Sequence, residues 1–341
     1  YHIHSIIIIL LKQKMKYLFS FVLIVTVLHI ISSKQVIQGS DFATYGFDIV
    51  KGELNALPIF TLNFEMGKEW NGQAVPDELG VVDTDESMEV IVEQINDQEH
   101  QFIKEDVENF GIDISIATAA FTGAAKFNHE YYYAHYEFSE KNIAQSHSYH
   151  NWTYYMIESY PPYALTLDGG FVLSVSKLPT KVISQDDQDK YNQFSDAYGQ
   201  VYPQKIDMGA EVIMDIYVDT ELFTQKTVEW TVNQMDLSFH SNLFNISAGG
   251  FANRSQIKID QLFDKYSKSY IFFKGGDEKL QSNETLSKWV ESIPNHLIYI
   301  KCDFQPIEEF ITDQNKKLNV YYTSKYYIQN GKYPTYQELW G

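Results

Sequence analysis

Three places in this sequence carry residue types that could do chemistry. His129-Glu130 opens like the H-E-x-x-H helix of a zinc protease, where two imidazoles one helical turn apart bind metal and the glutamate serves as base. The second histidine here is His135, so that geometry is missing, and both residues read as surface or packing positions. Asp186, Asp187 and Asp189 could collect a cation. They lack the spacing of an EF-hand loop, and acids at the start of a helix complement its dipole. Cys302 is the one cysteine, and the histidines lie far from it in sequence. Within "LIYIKCDF" it reads as buried apolar filler in a strand. No G-x-S-x-G elbow occurs, and Lys274-Gly275-Gly276 lacks the G-x-x-x-x-G-K-[ST] order of a phosphate loop. The expectation is a protein that is not an enzyme, with no metal and no cofactor. Calcium dependence has no sequence support.

The elements that must position such residues belong to a substantial chain. Its 341 residues are 44% hydrophobic and 15% aromatic, enough to bury a sizeable core. With 25 Tyr and 22 Phe the disordered class is excluded. The net charge of -19 argues against a nucleic-acid partner, which would need clustered Lys and Arg. It also repels an anionic lipid surface on average, unless a local basic face or bridging cations reverse that locally. One cysteine allows no internal disulfide, so stability must come from the core.

Met15-Lys16 is followed by "YLFSFVLIVTVLHIISS". A basic start, an apolar run and small residues at Ser32-Ser33 predict a signal peptide over 15–33. The rival reading is an uncleaved anchor, for which the run is short against the ~20 residues of a span. Residues 1–14, "YHIHSIIIILLKQK", read as an upstream extension outside the fold, and 36–341 as one domain. Sequons at Asn151, Asn245, Asn253 and Asn283 agree with a secretory route and are candidate N-glycosylation sites.

Along the chain, "YGFDIVKG" at 45–52 reads as an early strand or tight turn, and 67–99 as solvated loop with a short strand. Ile112, Ile114 and Ile116 alternate with polar or small residues, which predicts a strand at 107–117. Residues 126–145 suit amphipathic helices, and 150–159 a strand that Pro161-Pro162 stops. The segment 164–179 is apolar and broken by Gly169-Gly170. An acidic start predicts a helix over 186–198. The β-branched and aromatic run from 211 to 239 predicts one very long strand, or two with a turn. Later come a helix over 256–266, a strand over 269–274, a helix at 284–293, a strand through Cys302 and a last helix over 313–328. No period of about 20 to 50 residues recurs, which disfavours a solenoid. Long strands interrupted by helices indicate an α+β fold around an antiparallel sheet.

Four stretches then share one resemblance. The first is Tyr198-Gly199-Gln200-Val201-Tyr202, six residues, and Gly209-Ala210. It resembles the signature of the membrane attack complex/perforin (MACPF) family: aromatic-Gly, Thr or Ser, His, aromatic, six positions, Gly-Gly. Gln200, Val201 and Ala210 depart from that pattern. "YGFDIVKGELNA" is similar to the family's N-terminal G-Y-D-x-x-x-G-N segment. "SYIFFKGGD", with Gly275-Gly276, is similar to the end of its fourth long strand. Trp289, Ser292, Pro294, Ile298 and Pro306-Ile307 are similar to its C-terminal tail.

The resemblance implies a cholesterol-dependent-cytolysin-like fold: a sharply bent four-stranded antiparallel sheet, with two helical clusters that unfurl into membrane β-hairpins. It implies self-association into a ring on target membrane lipid. A closed barrel leaves no unpaired strand edge in the bilayer. With the signal peptide, the expected location is extracellular or a secretory granule, and membrane-inserted after assembly. Gly209 is expected where the long strand bends. The first cluster is placed between strands at 107–117 and 150–158, the second between a strand ending near 240 and one at 269–274. The candidate inserting residues are Phe121, Phe127, Tyr131, Tyr133 and Phe138, and then Phe244, Ile246, Phe251, Ile257 and Ile259. Glu137 and Glu140 differ in strand parity, whereas Arg254, Lys258, Asp260 and Asp264 share one. The alternative is a non-lytic protein of the same fold, acting in adhesion or partner binding.

Overall fold

The computed structural model describes residues 34–91, 143–244, 259–281 and 286–341. The candidates Phe121, Phe127, Tyr131, Tyr133, Phe138, Ile246, Phe251 and Ile257, the sequons at Asn245, Asn253 and Asn283, and His129-Glu130 fall outside them, as do the segment 1–33 and the strand expected at 107–117.

The chain opens with two short strands, β1 (Tyr45–Asp48) and β2 (Glu53–Pro58), joined by a tight turn. The side chain of Asp48, fully buried, accepts the turn's Val50 and Lys51 amides, at 3.0 and 2.9 Å. A small hairpin, β3 (Glu69–Trp70) and β4 (Gln73–Ala74), precedes the long β5 (Leu79–Ile91). Here the sequence reading is corrected. The acidic segment taken as mostly loop contains a 13-residue strand, because polar residues are tolerated where a strand lies at a sheet edge. β6 (Ile143–Ser159) pairs with it and begins seven residues earlier than the strand expected from 150.

Two helices follow. In α1 (Gly169–Lys177), Asp168 accepts the Gly170 and Phe171 amides. The two glycines thus lie in a capped first turn, where they were expected to break the segment. α2 (Gln185–Tyr198) starts at Ser184, whose hydroxyl caps the Asp187 amide. It ends at Gly199, whose φ of 82° is open to glycine at little cost. β7 (Val201–Asp219) then runs 19 residues through the centre of the sheet. Gly209 therefore sits inside this strand, and the strand begins well before it.

The long strand predicted up to 239 stops at Asp219. Beyond it lies α3 (Val228–Phe244), a correction with a clear physical origin. Thr231, Met235 and Ser238 are buried, and their spacing of four and three is that of a helix face. Tertiary burial of that face outweighs the β-propensity of the run. The alternation around Phe244 is thus a helix terminus in this state. α4 (Gln261–Tyr266) leads into β8 (Ser267–Lys274). α5 (Leu286–Ser292), β9 (Ile298–Pro306), α6 (Gln314–Asn330) and α7 (Tyr336–Trp340) complete the chain.

The sheet has seven strands in the order β2-β1-β7-β6-β5, with β8 and β9 both pairing β7. Four long strands, β5, β6, β7 and β8, lie side by side and antiparallel, as the resemblance implied. β9, β1 and β2 extend the sheet beyond that expectation. Val212, Met214, Ile216 and Val218 of β7 all enter the core, whose cluster includes Leu222, Met235 and Phe263 from the following helical region.

Candidate functional site

The strand β7 changes partner part-way along one edge. Residues Val201 to Gly209 pair with β9, and Glu211 to Val218 pair with β8. Three register irregularities of the neighbouring strands fall on the same line, while those at Tyr45/Phe47 and Pro203/Lys205 lie nearer the start of β7. In β5 it breaks between Asp83 and Glu86, in β6 Tyr154 is the extra residue, and in β9 Ile300 is. Bulges aligned in three strands around β7 make a transverse bend, because each bulge kinks and twists its strand locally.

Gly209 is the residue of β7 on that line. A methyl group there would overlap the backbone carbonyl of Trp152 and come within 3.2 Å of Ile300 Cδ1. The strands can therefore close on one another only where β7 has no side chain. Ala210 is fully buried. It faces Gly275, where a Cβ would lie 3.0 Å from its own. The departure from Gly-Gly at Ala210 is accommodated because its opposite number is itself a glycine.

Trp289 of α5 locks this joint and is fully buried. Its indole N–H donates to the Gly275 carbonyl at 2.9 Å. The ring lies against Gly276, meets Trp152 edge-on at 5.6 Å and meets Phe273 at 5.3 Å. Ser292 donates to the Trp289 carbonyl at 2.6 Å and accepts the Asp277 amide at 2.8 Å. The Gly276 amide donates to the His296 carbonyl at 2.9 Å. The tail residues Trp289 and Ser292 thus hold the Gly275-Gly276 loop against the bend. Beyond it, Lys274 and Glu211 form an ion pair at 3.4 Å.

The rest of the signature organises the other end of β7. The Gln200 amide donates to the Phe47 carbonyl at 3.1 Å. Its buried side chain accepts the Ile49 amide at 3.1 Å and donates to Ser195 Oγ at 3.1 Å. Gln200 therefore ties the end of α2 to the N-terminal segment. Tyr198 meets Phe171 edge-on at 5.0 Å, and Tyr202 meets Phe310 at 4.6 Å. Burial pushes the Tyr202 phenol up to about 12. Tyr327 of α6 donates to Asp48 at 3.2 Å, and Lys51 pairs with Asp48 at 3.2 Å and with Asp196 at 2.8 Å. Burial works against the Lys51 charge, but Asp196 and Asp48 hold its pKa above the usual range.

Burial lowers the His150 pKa to about 4, so the ring is neutral at physiological pH. Cys302 is buried within β9, and burial raises its pKa well above the usual thiol range, which makes the thiolate scarce. Asp187 accepts the Ile183 amide and pairs with Lys190 at 3.2 Å, so it serves the start of α2. Among the described residues no group of three or more His, Cys, Asp or Glu is arranged to hold a metal ion. No described helix is long and apolar enough to cross a membrane. Asn151 lies mid-strand between Met88 and Glu211, and its side-chain oxygen is buried without a hydrogen-bond partner.

The structure brings Gly209, Ala210, Gly275 and Gly276 together at the bend, and places Tyr198, Gly199 and Tyr202 at the head of β7. Ile259 is half-buried and packs on the core. Phe244 ends α3. Trp152, Tyr154 and Ile300 complete the bend without any sequence signal of their own, since each lies in an unremarkable strand pattern.

A family model for the MAC/Perforin domain matches residues 39–337. Among solved structures the chain is similar to GNIP1Aa from Chromobacterium piscinae, with TM-score 0.60 and 13% identity over 86% of this chain and 55% of that one. It is also similar to a protein with a MAC/Perforin domain from Bacteroides thetaiotaomicron, with TM-score 0.50 and 10% identity over 89% of this chain and 62% of that one. The chain thus spans little more than half of each. No curated protein matches it in sequence. With the signature glycines at a sheet bend and a family match over most of its length, this chain belongs to the MAC/perforin (MACPF) family.

Proposed function

We propose that this protein is a secreted, perforin-like pore former. It assembles into a ring on a target membrane, and each subunit contributes two β-hairpins to a common barrel. The observation that supports this is topological. Residues 92–142 connect β5 to β6, and residues 220–266 connect β7 to β8. Each pair consists of hydrogen-bonded antiparallel neighbours. Ile91 lies opposite Ser148, Ser148 opposite Met214, and Val218 opposite Ser267, so both connections leave the same end of the sheet. A hairpin formed from either would extend two existing strands without changing their register. Each connection exceeds the two spans of ~10 residues that such a hairpin needs.

Dye release from liposomes, with rings visible by electron microscopy, tests the activity. An environment-sensitive probe at successive positions through 126–145 and 246–259 tests the mechanism. Emission that shifts at every second position on membrane addition supports hairpin insertion. A folded protein that releases no dye from any lipid mixture overturns the lytic reading in favour of a non-lytic binder.

A further inference from the structure

Beyond the bend, β7 has two unlike faces. Val212, Met214, Ile216 and Val218, at even positions, all enter the core. Glu211, Asp215 and Asp219 are at odd positions, so every charged residue of this half lies on the other face, with Ile213 and Tyr217. Lys268 and Lys274 of β8 pair with Tyr217 and Glu211 and share that face. The same alternation returns at α3. Val228, Trp230 and Val232 are apolar at even positions, and Thr227, Glu229, Thr231 and Asn233 are polar at odd ones. Thr220, Thr224 and Lys226 interrupt the apolar set, but the phase is that of β7. Carrying the pairing of Val218 with Ser267 four residues further along each limb sets Leu222 opposite Phe263. Both are fully buried in the cluster that holds Val218.

At Asn233-Gln234 the phase reverses. Met235, Leu237 and Phe239 are apolar at odd positions, and Asp236, Ser238 and His240 are polar at even ones. Two adjacent polar residues between two clean alternations fit a bulge. One extra residue there shifts everything after it by one and returns its apolar side chains to the face they would otherwise leave. The segment also satisfies a helix, because Val228, Val232, Met235 and Phe239 fall on one helical stripe. Yet the helix buries Thr231 and Ser238 and leaves Trp230, Val232 and Leu237 half-buried, which a strand with this alternation would not. A period-two pattern held in a helix is a local preference in conflict with the surrounding fold.

We propose that α3 becomes the outgoing strand of the second hairpin, with Val228, Trp230, Val232, Met235, Leu237 and Phe239 all turned to lipid and a bulge at Asn233-Gln234 between them. The inference rests on the pore-forming reading and adds a register to it. Glu229, Thr231, Asp236, Ser238 and His240 then face the water of the lumen. Without the bulge, Asp236 would share a face with Trp230 and Val232 and meet hydrocarbon, which a bilayer disfavours. Residues 228–239 are enough for one tilted span of about 9 to 11 residues.

The test places an environment-sensitive probe on single cysteines substituted for Glu229, Trp230, Val232, Asn233, Gln234 and Leu237, none of them buried, in a Cys302→Ala background. Emission is followed while the whole chain releases dye from liposomes. The expected result is a shift to an apolar environment at Trp230, Val232 and Leu237, and none at Glu229, Asn233 and Gln234. An unbroken strand gives a different pattern, because Leu237 has the parity of Asn233, and Gln234 that of Val232. Emission that follows parity throughout therefore overturns the proposal. Dye release with no shift at any of the six also overturns it, and leaves pore formation standing with α3 outside the bilayer. A folded protein that releases no dye from any lipid mixture sinks the pore-forming reading and this register with it. Leu237→Glu should lower dye release at least tenfold while circular dichroism shows the soluble fold retained. Undiminished release by that variant overturns the placement of Leu237 against lipid.

Discussion

The two halves of β7 live in different surroundings. From Val201 to Asp207 burial is one-sided: Tyr202 and Ile206 are buried, while Lys205 and Asp207 lie partly open beside Glu158 and Asp303. From Met208 to Val218 every residue is buried, including Glu211 and Asp215. The first half is an antiparallel strand with one solvated face, and the second is covered on both. The change falls on the line of bulges, at Gly209, where the strand exchanges β9 for β8. The half covered on both faces lies at the end from which both long connections leave. Before the bend, β7 is held by Gln200, β9 and the C-terminal helices.

The sharpest way to break this comparison is to fill the joint between the halves. Gly209→Val would drive a branched side chain into the Trp152 carbonyl and Ile300. The expected loss is at least about 4 kcal/mol, or failure to fold, read by urea unfolding. A variant as stable as the parent would mean that the strands do not close there as described. Next in size is Trp289→Ala, which empties a fully buried site against Gly275 and Gly276. It should lose about 3 kcal/mol, with Trp289→Phe recovering much of the packing but not the bond to the Gly275 carbonyl.

A pH profile distinguishes the half before the bend. Glu308 follows directly on Ile307, whose amide bonds the Gln200 carbonyl at 3.0 Å. Burial raises its carboxyl from about 4.5 to about 7. The folded state thus holds this proton after the unfolded chain has released it. The group's contribution to stability is complete below about 4.5 and is lost as pH rises toward 7. Glu308→Gln should match the parent in acid and exceed it above pH 7, by up to about 3 kcal/mol. An unchanged pH profile would show that Glu308 is open to water. In the same half, Cys302 should resist thiol reagents until the protein unfolds. Labelling of the native protein at the rate of a free thiol would place β9 elsewhere. The smallest effect belongs to Lys205→Ala, which removes a half-exposed partner of Glu158 at 3.7 Å and should change stability by less than about 0.5 kcal/mol.

Much of this was legible in the residues. The acidic start and Gly199 end of α2, the strands through Phe273 and Cys302, and the last helix follow from local capping, alternation and helix signals. The strand β5 was hidden because its acids read as loop, and α3 because its β-branched residues read as strand. In both cases the deciding quantity was which neighbour covers the face, and a local pattern does not contain it. The fate of the sequon at Asn151 is of the same kind. A glycan there would separate β6 from its partners, so the folded protein should carry none at that position, by mass spectrometry of material made in a eukaryotic secretory pathway.

The sequence by itself determined that the chain has a large apolar core, a strongly acidic surface, and glycines spaced as in one family's signature. These are properties of composition and of short-range order. Only the tertiary structure decided why the glycines are required. What Gly209 meets is the Trp152 carbonyl and Ile300, and what Gly276 meets is Trp289. None of these is near in sequence, and the restriction on a side chain arises from contacts the chain makes only when the sheet has closed.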